Sequence, residues 1–79
     1  MTGEIKIQVL KDTIKKIHDL RQFNLPVIQK TIDEYEKADV DTVFIDQQKT
    51  QLQKVNSRIN ELEAKRNRII KELIEKADI

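Results

Sequence analysis

The second half of the chain carries apolar side chains at alternating intervals of three and four residues. This is the heptad repeat, whose a and d positions form a narrow apolar line along one side of a helix. We assign these positions to nine residues, called here the α-seam: Ile45, Gln48, Leu52, Val55, Ile59, Leu62, Arg66, Ile69 and Leu73. The pattern predicts one long helix over about residues 41–77, roughly 50 Å long at ~1.5 Å per residue.

The first half has a helical spacing that is less regular. Its predicted apolar face consists of four residues with two more on the border: Ile7, Leu10, Ile14 and Ile17, then Leu20 and Phe23. Pro26 lacks an amide hydrogen and its ring clashes with the preceding turn, so we expect a kink or a break there. Beyond it the apolar face is rebuilt by Val27, Ile28, Ile32 and Tyr35.

Residues 4–9 leave an alternative open. The run EIKIQV alternates β-branched and polar residues, as an edge strand does, although Ile5 and Val9 are also one helical turn apart. At the other end of this half, the run ADVDTVF offers Asp39 and Asp41 as caps for the final helix. We therefore expect a corner near residues 38–42.

These patterns predict an all-α protein with one helical domain over residues 1–79. The helical segments are expected at about 4–23, 26–38 and 41–77, folded as an antiparallel hairpin with a kink or break at Pro26. A hairpin has a thin core, so we expect two copies to pair into a four-helix bundle. The alternative is a monomeric three-helix bundle divided at Pro26.

The α-seam is the predicted surface of self-association in that dimer. The residues expected there are Leu52, Val55, Ile59, Leu62, Arg66, Ile69 and Leu73. Arg66 is a charge in an apolar line. Its stem can cover apolar neighbours while its guanidinium reaches water or a carboxylate, and a polar residue at a seam position can favour one register or oligomeric state.

Composition narrows the chemistry further. The sequence has no cysteine, one histidine (His18), one serine (Ser57) and one glycine (Gly3). The chain therefore has too few of the residues that form a nucleophile–base pair, and too few glycines for a phosphate-binding loop. The acidic residues around the corner, from Asp33 to Asp46, do not have the spacing of a calcium loop. We predict no enzymatic activity, no cofactor and no metal.

Charge and hydropathy select no partner. The balance of 15 Lys and Arg against 14 Asp and Glu gives a net charge of +1. No apolar run approaches the ~18 residues that a membrane span needs, and no signal segment is visible, so a cytoplasmic location is predicted. A membrane-surface helix over residues 4–20 is a minor alternative, because it lacks aromatic anchors.

A basic group on the final helix gives the main alternative function, a nucleic-acid accessory protein. Its candidate contacts are Lys54, Arg58, Lys65, Arg66 and Arg68. The run INELEAKRNRIIKEL, residues 59–73, is similar to part of the helical tRNA-binding arm of bacterial seryl-tRNA synthetases. We attribute the likeness to the coiled-coil composition that both segments share. We predict instead a non-enzymatic protein-interaction module: an adaptor, assembly factor or inhibitor of a larger partner.

Overall fold

The computed structural model describes the backbone of residues 2–77 and the side chains of residues 3–75. The elements in chain order are α1 (Thr2–Asp19), a π-helical turn (Leu20–Asn24), α2 (Leu25–Lys37) and α3 (Thr42–Ala77). Residues 4–9 belong to α1, so the edge-strand alternative is wrong. The described residues are all-helical apart from the short linker 38–41, and they contain no strand.

The chain folds as an antiparallel hairpin of two arms. The first arm consists of α1, the π-turn and α2, and the second arm is α3 alone. Among the described residues, α3 packs against both α1 and α2, and no packing between α1 and α2 is found. The result is a rod of 60 × 15 × 15 Å. The predicted hairpin is confirmed, and the three-helix arrangement of the alternative is wrong, while the number of chains stays a prediction.

Pro26 explains the π-turn, because a proline inside an α-helix removes one hydrogen bond and clashes with the carbonyl four residues earlier. Here the amide of Leu25 donates to the carbonyl of Leu20, five residues back, which widens the turn ahead of the ring. Asp19, Asn24 and Leu25 keep right-handed helical dihedral angles. The first arm therefore runs on through Pro26 without the predicted break, while a kink there stays a prediction.

The π-turn also keeps the two halves of the first arm in phase. The side chains that face α3 are all buried or half-buried, and we call them the first-arm seam: Lys6, Leu10, Thr13, Ile17, Leu20, Leu25, Ile28, Ile32 and Tyr35. Their spacing alternates between three and four residues except between Leu20 and Leu25, which are five apart. A π-turn accommodates one extra residue in a helix. It thus absorbs the extra residue and returns α2 to the side that faces α3.

The predicted face of α1 needs a correction. Leu10 and Ile17 face α3 as expected, but Ile7 and Ile14 are exposed, and so is Phe23. The position assigned to Ile14 belongs to Thr13, which is only 3% exposed. The Thr13 hydroxyl donates to the carbonyl of Val9 at 2.7 Å, so its polar group is satisfied inside its own helix. A threonine can therefore occupy a buried seam position here.

The corner is closed by backbone hydrogen bonds and one side-chain cap. The amide of Val40 donates to Tyr35 O and the amide of Asp39 to Glu36 O, the two bonds of a Schellman motif. Asp39 has φ 54°, in the left-handed region. Asp41 then caps α3, because its Oδ1 accepts the amide hydrogen of Val43 at 3.2 Å. Asp41 thus has the predicted capping role, whereas Asp39 ends the first arm.

Asp39 gives a prediction about stability. In Asp39→Gly we expect the free energy of unfolding to rise by about 0.5 kcal/mol, because glycine adopts positive φ without steric cost. In Asp39→Ala we expect the free energy of unfolding to fall by about 1 kcal/mol. Alanine keeps the Cβ that disfavours positive φ, and it lacks the short polar side chain that helps aspartate to adopt this conformation. Urea denaturation of both variants tests the prediction. Equal stabilities would contradict the left-handed assignment.

The core is thin for the length of the chain. Five apolar residues are buried among the described ones: Ile17, Ile32, Ile59, Leu62 and Ile69. The centre of the core is the cluster of Ile17, Ile59 and Leu62. The accessible surface is 6233 Å², about a quarter more than the roughly 5,000 Å² expected of a compact monomer of this mass. The hairpin therefore leaves more surface in water than a globular fold of the same size.

Candidate interaction surfaces

The α-seam lies where the heptad assignment places it. All nine of its residues are buried or half-buried, and among the other described side chains of α3 only Glu63 and Glu72 are not exposed. The seam faces the first arm of the same chain: Leu20, Leu25 and Val55 pack around the central cluster. In this structure the α-seam contacts the first arm of its own chain. Its role in binding a second copy stays a prediction.

Arg66 is half-buried within this seam. Its Nε donates a hydrogen bond to Oδ1 of the adjacent Asn67 at 3.2 Å. It forms no ion pair with a carboxylate among the described residues. The partial burial fits a side chain whose stem covers apolar surface while its guanidinium stays near water. Its role in selecting a register stays a prediction.

Three ion pairs connect the two antiparallel arms. Lys6 Nζ and Glu72 Oε2 are 3.0 Å apart, Lys49 Nζ and Glu36 Oε1 are 3.9 Å apart, and Arg21 pairs with Glu63. Pairs that remain accessible to solvent contribute about 1 kcal/mol or less each. Two of the three pairs mark one side of the rod. Their residues directly follow seam residues at d positions, which places them at the neighbouring e positions: Arg21, Glu36, Lys49 and Glu63.

Four exposed isoleucines continue that side toward the open end of the hairpin. Ile14 and Ile7 lie seven and fourteen residues before Arg21, and Ile70 lies seven residues after Glu63, so heptad spacing keeps them on the same line. Ile74 is one helical turn beyond Ile70. All four are exposed, Ile14 to 47% and Ile70 to 37%. We call Ile7, Ile14, Ile70 and Ile74 the isoleucine flank.

A second exposed apolar group lies on the first arm. Phe23 and Val27 are 63% and 64% exposed and are four residues apart across the end of the π-turn. Both are near the middle of the rod rather than at its open end. We call them the Phe23/Val27 pair. The expectation that Phe23 borders the core and that Val27 rebuilds an apolar core face is wrong for both residues.

The predicted basic group spreads around α3. Lys54, Arg58, Lys65 and Arg68 are exposed, and Arg66 is half-buried in the seam. A shallow groove between the arms adds a residue that the sequence prediction missed: Lys16 of α1 lines it together with Arg58 and Lys65. Asp12 lines the same groove, and Arg58 Nη1 lies 3.2 Å from Glu61 Oε2. The two carboxylates offset part of the positive charge.

The residues considered for chemistry do not converge. His18 and Ser57 are exposed on different arms. Within the described part of the chain, no three His, Cys, Asp or Glu side chains are grouped so that they could hold a metal ion. The acidic residues of the corner are solvated, and Asp41 acts as a cap. Among the described residues, no helix has the length and apolar character that crossing a membrane requires.

The fold and these surfaces define a small all-helical hairpin protein with apolar groups outside its core. No protein-family model, curated protein or solved structure matches this chain. Its functional surfaces are therefore argued from its own residues: the isoleucine flank, the Phe23/Val27 pair and the basic groove at Lys16.

Proposed function

We propose that this protein is a non-enzymatic helical interaction module that binds a larger protein as an adaptor, assembly factor or inhibitor. Two copies of the chain associate in this proposal, and the setting is cytoplasmic. The observation that carries it is the grouping of exposed apolar side chains outside the core. Single exposed apolar residues are ordinary, whereas groups on one side of a helix are typical of interaction sites.

The Phe23/Val27 pair is the surface that we assign to the larger partner. Aromatic residues are enriched at the centres of protein interfaces, because they bury a large area at a small entropic cost. Phe23 and Val27 are more than half exposed and have polar neighbours, Gln22 and Lys30, on the same arm. An apolar centre with a polar rim is the usual layout of such a contact.

Site-specific photo-crosslinking tests this proposal. A photoreactive residue replaces Phe23 in one variant and Ser57, which is exposed on the other arm, in a control variant. We expect an adduct with a second, larger protein from position 23, competed by excess unlabelled chain, and none from position 57. The proposal is wrong if neither position yields an adduct other than the chain itself.

One structural observation favours the alternative of a nucleic-acid accessory protein. Lys16 joins Arg58 and Lys65 in one groove, so cations from both arms line the same path. Cations spaced along a groove can follow a phosphate backbone. Asp12 in the groove and the Arg58–Glu61 ion pair weaken this alternative.

A titration with labelled RNA and DNA at two salt concentrations separates the two functions. Under the proposed protein-binding function we expect no affinity that falls steeply with salt. If nucleic acid is the partner, affinity falls with salt and Lys16→Gln/Lys65→Gln lowers the logarithmic slope by about two. The control is Lys15→Gln/Lys71→Gln, which removes the same charge away from the groove and should leave the slope less changed.

A further inference from the structure

We propose that the isoleucine flank binds a second copy of this chain, open end beside open end about a two-fold axis. The inference rests on the proposed function and identifies which partner binds the isoleucine flank. It concerns different residues from the α-seam, because the seam already faces the first arm within each hairpin. Two hairpins joined by their flanks form the four-helix layer that a thin core requires.

The side of the rod that carries the flank is divided into two chemically distinct halves. Toward the corner, its e positions carry the ion pairs Arg21–Glu63 and Glu36–Lys49. Toward the open end, the equivalent positions carry Ile7, Ile14 and Ile70. Charged pairs at e positions satisfy themselves within one hairpin, whereas isoleucines there gain only by excluding water. The change along the same line indicates a contact confined to the open half.

The exposed surface is large enough to supply a dimer interface. A stable interface buries about 800 Å² on each partner. The hairpin exposes 6233 Å², an excess over a compact monomer of the same order as one such interface. The flank supplies the apolar centre, since Ile7 and Ile70 are 45% and 37% exposed and lie on neighbouring helices. Pairing two flanks would bring the surface closer to the value for a compact protein.

The charges at the edge of the flank favour a second copy over an unrelated partner. Glu4 and Lys11 are exposed and lie seven residues apart on the next heptad line of α1, either side of Ile7. A two-fold axis through this part of α1 reverses the order of the two charges in the partner. Glu4 of one copy then lies opposite Lys11 of the other. Unlike charges at the rim favour that arrangement over a sideways slip.

Sedimentation equilibrium of the full chain at low micromolar concentration tests this inference. We expect a mass of two chains for the wild type. Ile7→Ser/Ile70→Ser should raise the dissociation constant by at least about tenfold. The control, Phe23→Ser/Val27→Ser, makes the same changes at two more exposed positions outside the flank and should keep the dimer. Circular dichroism verifies that both variants retain their helices.

A second variant keeps the test independent of serine effects on folding. The chain has no cysteine, so a single cysteine with a bismaleimide can join only two different copies. We expect covalent dimers from Ile7→Cys, which lies beside the two-fold axis, and not from Ser57→Cys. A wild-type monomer, a dimer unaffected by the flank variant, or helicity gained only on anionic phosphatidylglycerol vesicles would each overturn the inference. An adduct with a larger protein at position 23 would still support the proposed function in those cases.

Discussion

Replacing Leu62 with alanine should lower the free energy of unfolding by about 2–5 kcal/mol, the range measured when a large buried aliphatic side chain is truncated. Leu62 is one of three residues in the central cluster, with Ile17 and Ile59. A rod 15 Å thick has no further layer that could move in to fill the cavity. Because small domains have only about 5–15 kcal/mol of stability, this one change should remove a large share of it.

Urea denaturation followed by circular dichroism measures this loss. The control is Val43→Ala, which truncates an exposed β-branched residue in the same helix and should change stability by less than about 0.5 kcal/mol. Both variants are compared at several protein concentrations, since association of two chains would make the midpoint depend on concentration. A loss below about 1 kcal/mol for Leu62→Ala would contradict the placement of the core.

Two single-residue deletions in the first arm should have opposite outcomes. Deleting Gln22 together with Pro26→Ala removes the extra residue and the reason for the π-turn. Leu20 and Leu25 are then four positions apart, and a regular α-helix keeps both seams in register. We expect the hairpin to fold with stability equal to or above that of the parent.

The matched deletion of Lys30, also with Pro26→Ala, should be strongly destabilising. Lys30 is exposed and its own side chain is dispensable, but its loss rotates the following residues by about 100°. Ile32 and Tyr35 then leave the side that faces α3. We expect the two deletions to differ by more than about 2 kcal/mol, the cost of losing one buried aliphatic side chain. Equal stabilities in thermal and urea melts would mean that the π-turn has no role in the register.

The sequence predicts α3 correctly because its pattern is unambiguous there. Only one line along residues 45–73 is apolar at three- and four-residue spacing, and that line faces the first arm in the structure. The corner was also predictable, since Asp41 is a strong capping residue before an apolar run. In both cases local chemistry determines the outcome with little influence from the partner helix.

The face of α1 was not predictable, because two lines fit the heptad spacing. One contains Ile7 and Ile14 and the other contains Lys6 and Thr13, and they share Leu10 and Ile17. The first is more apolar and is the line that the sequence predicts. The second continues to Leu20 and places Lys6 beside Glu72, 3.0 Å away on the other arm. The contact with α3 decides between the lines, and a single helix contains no information about it.

The candidate surfaces were not predictable for the same reason. Ile7 and Ile14 were expected in the core, so the isoleucine flank was not visible as a surface. Lys16 was likewise separate from the basic group until the hairpin brought α1 beside Arg58 and Lys65. Surfaces that combine two arms depend on the register between them. That register depends on long-range packing between the arms, which the periodicity of one segment does not specify.

The hairpin has a practical consequence for how the protein is tagged. α1 begins at Thr2 and α3 ends at Ala77, so both arms end at the same tip of the rod, beside the isoleucine flank. The corner is at the opposite tip of a molecule 60 Å long. Under the proposed dimer, a bulky fluorescent fusion at either terminus would crowd the flank and weaken association as a flank variant does. A small dye on a cysteine introduced at exposed Ala38 reports on association without that interference.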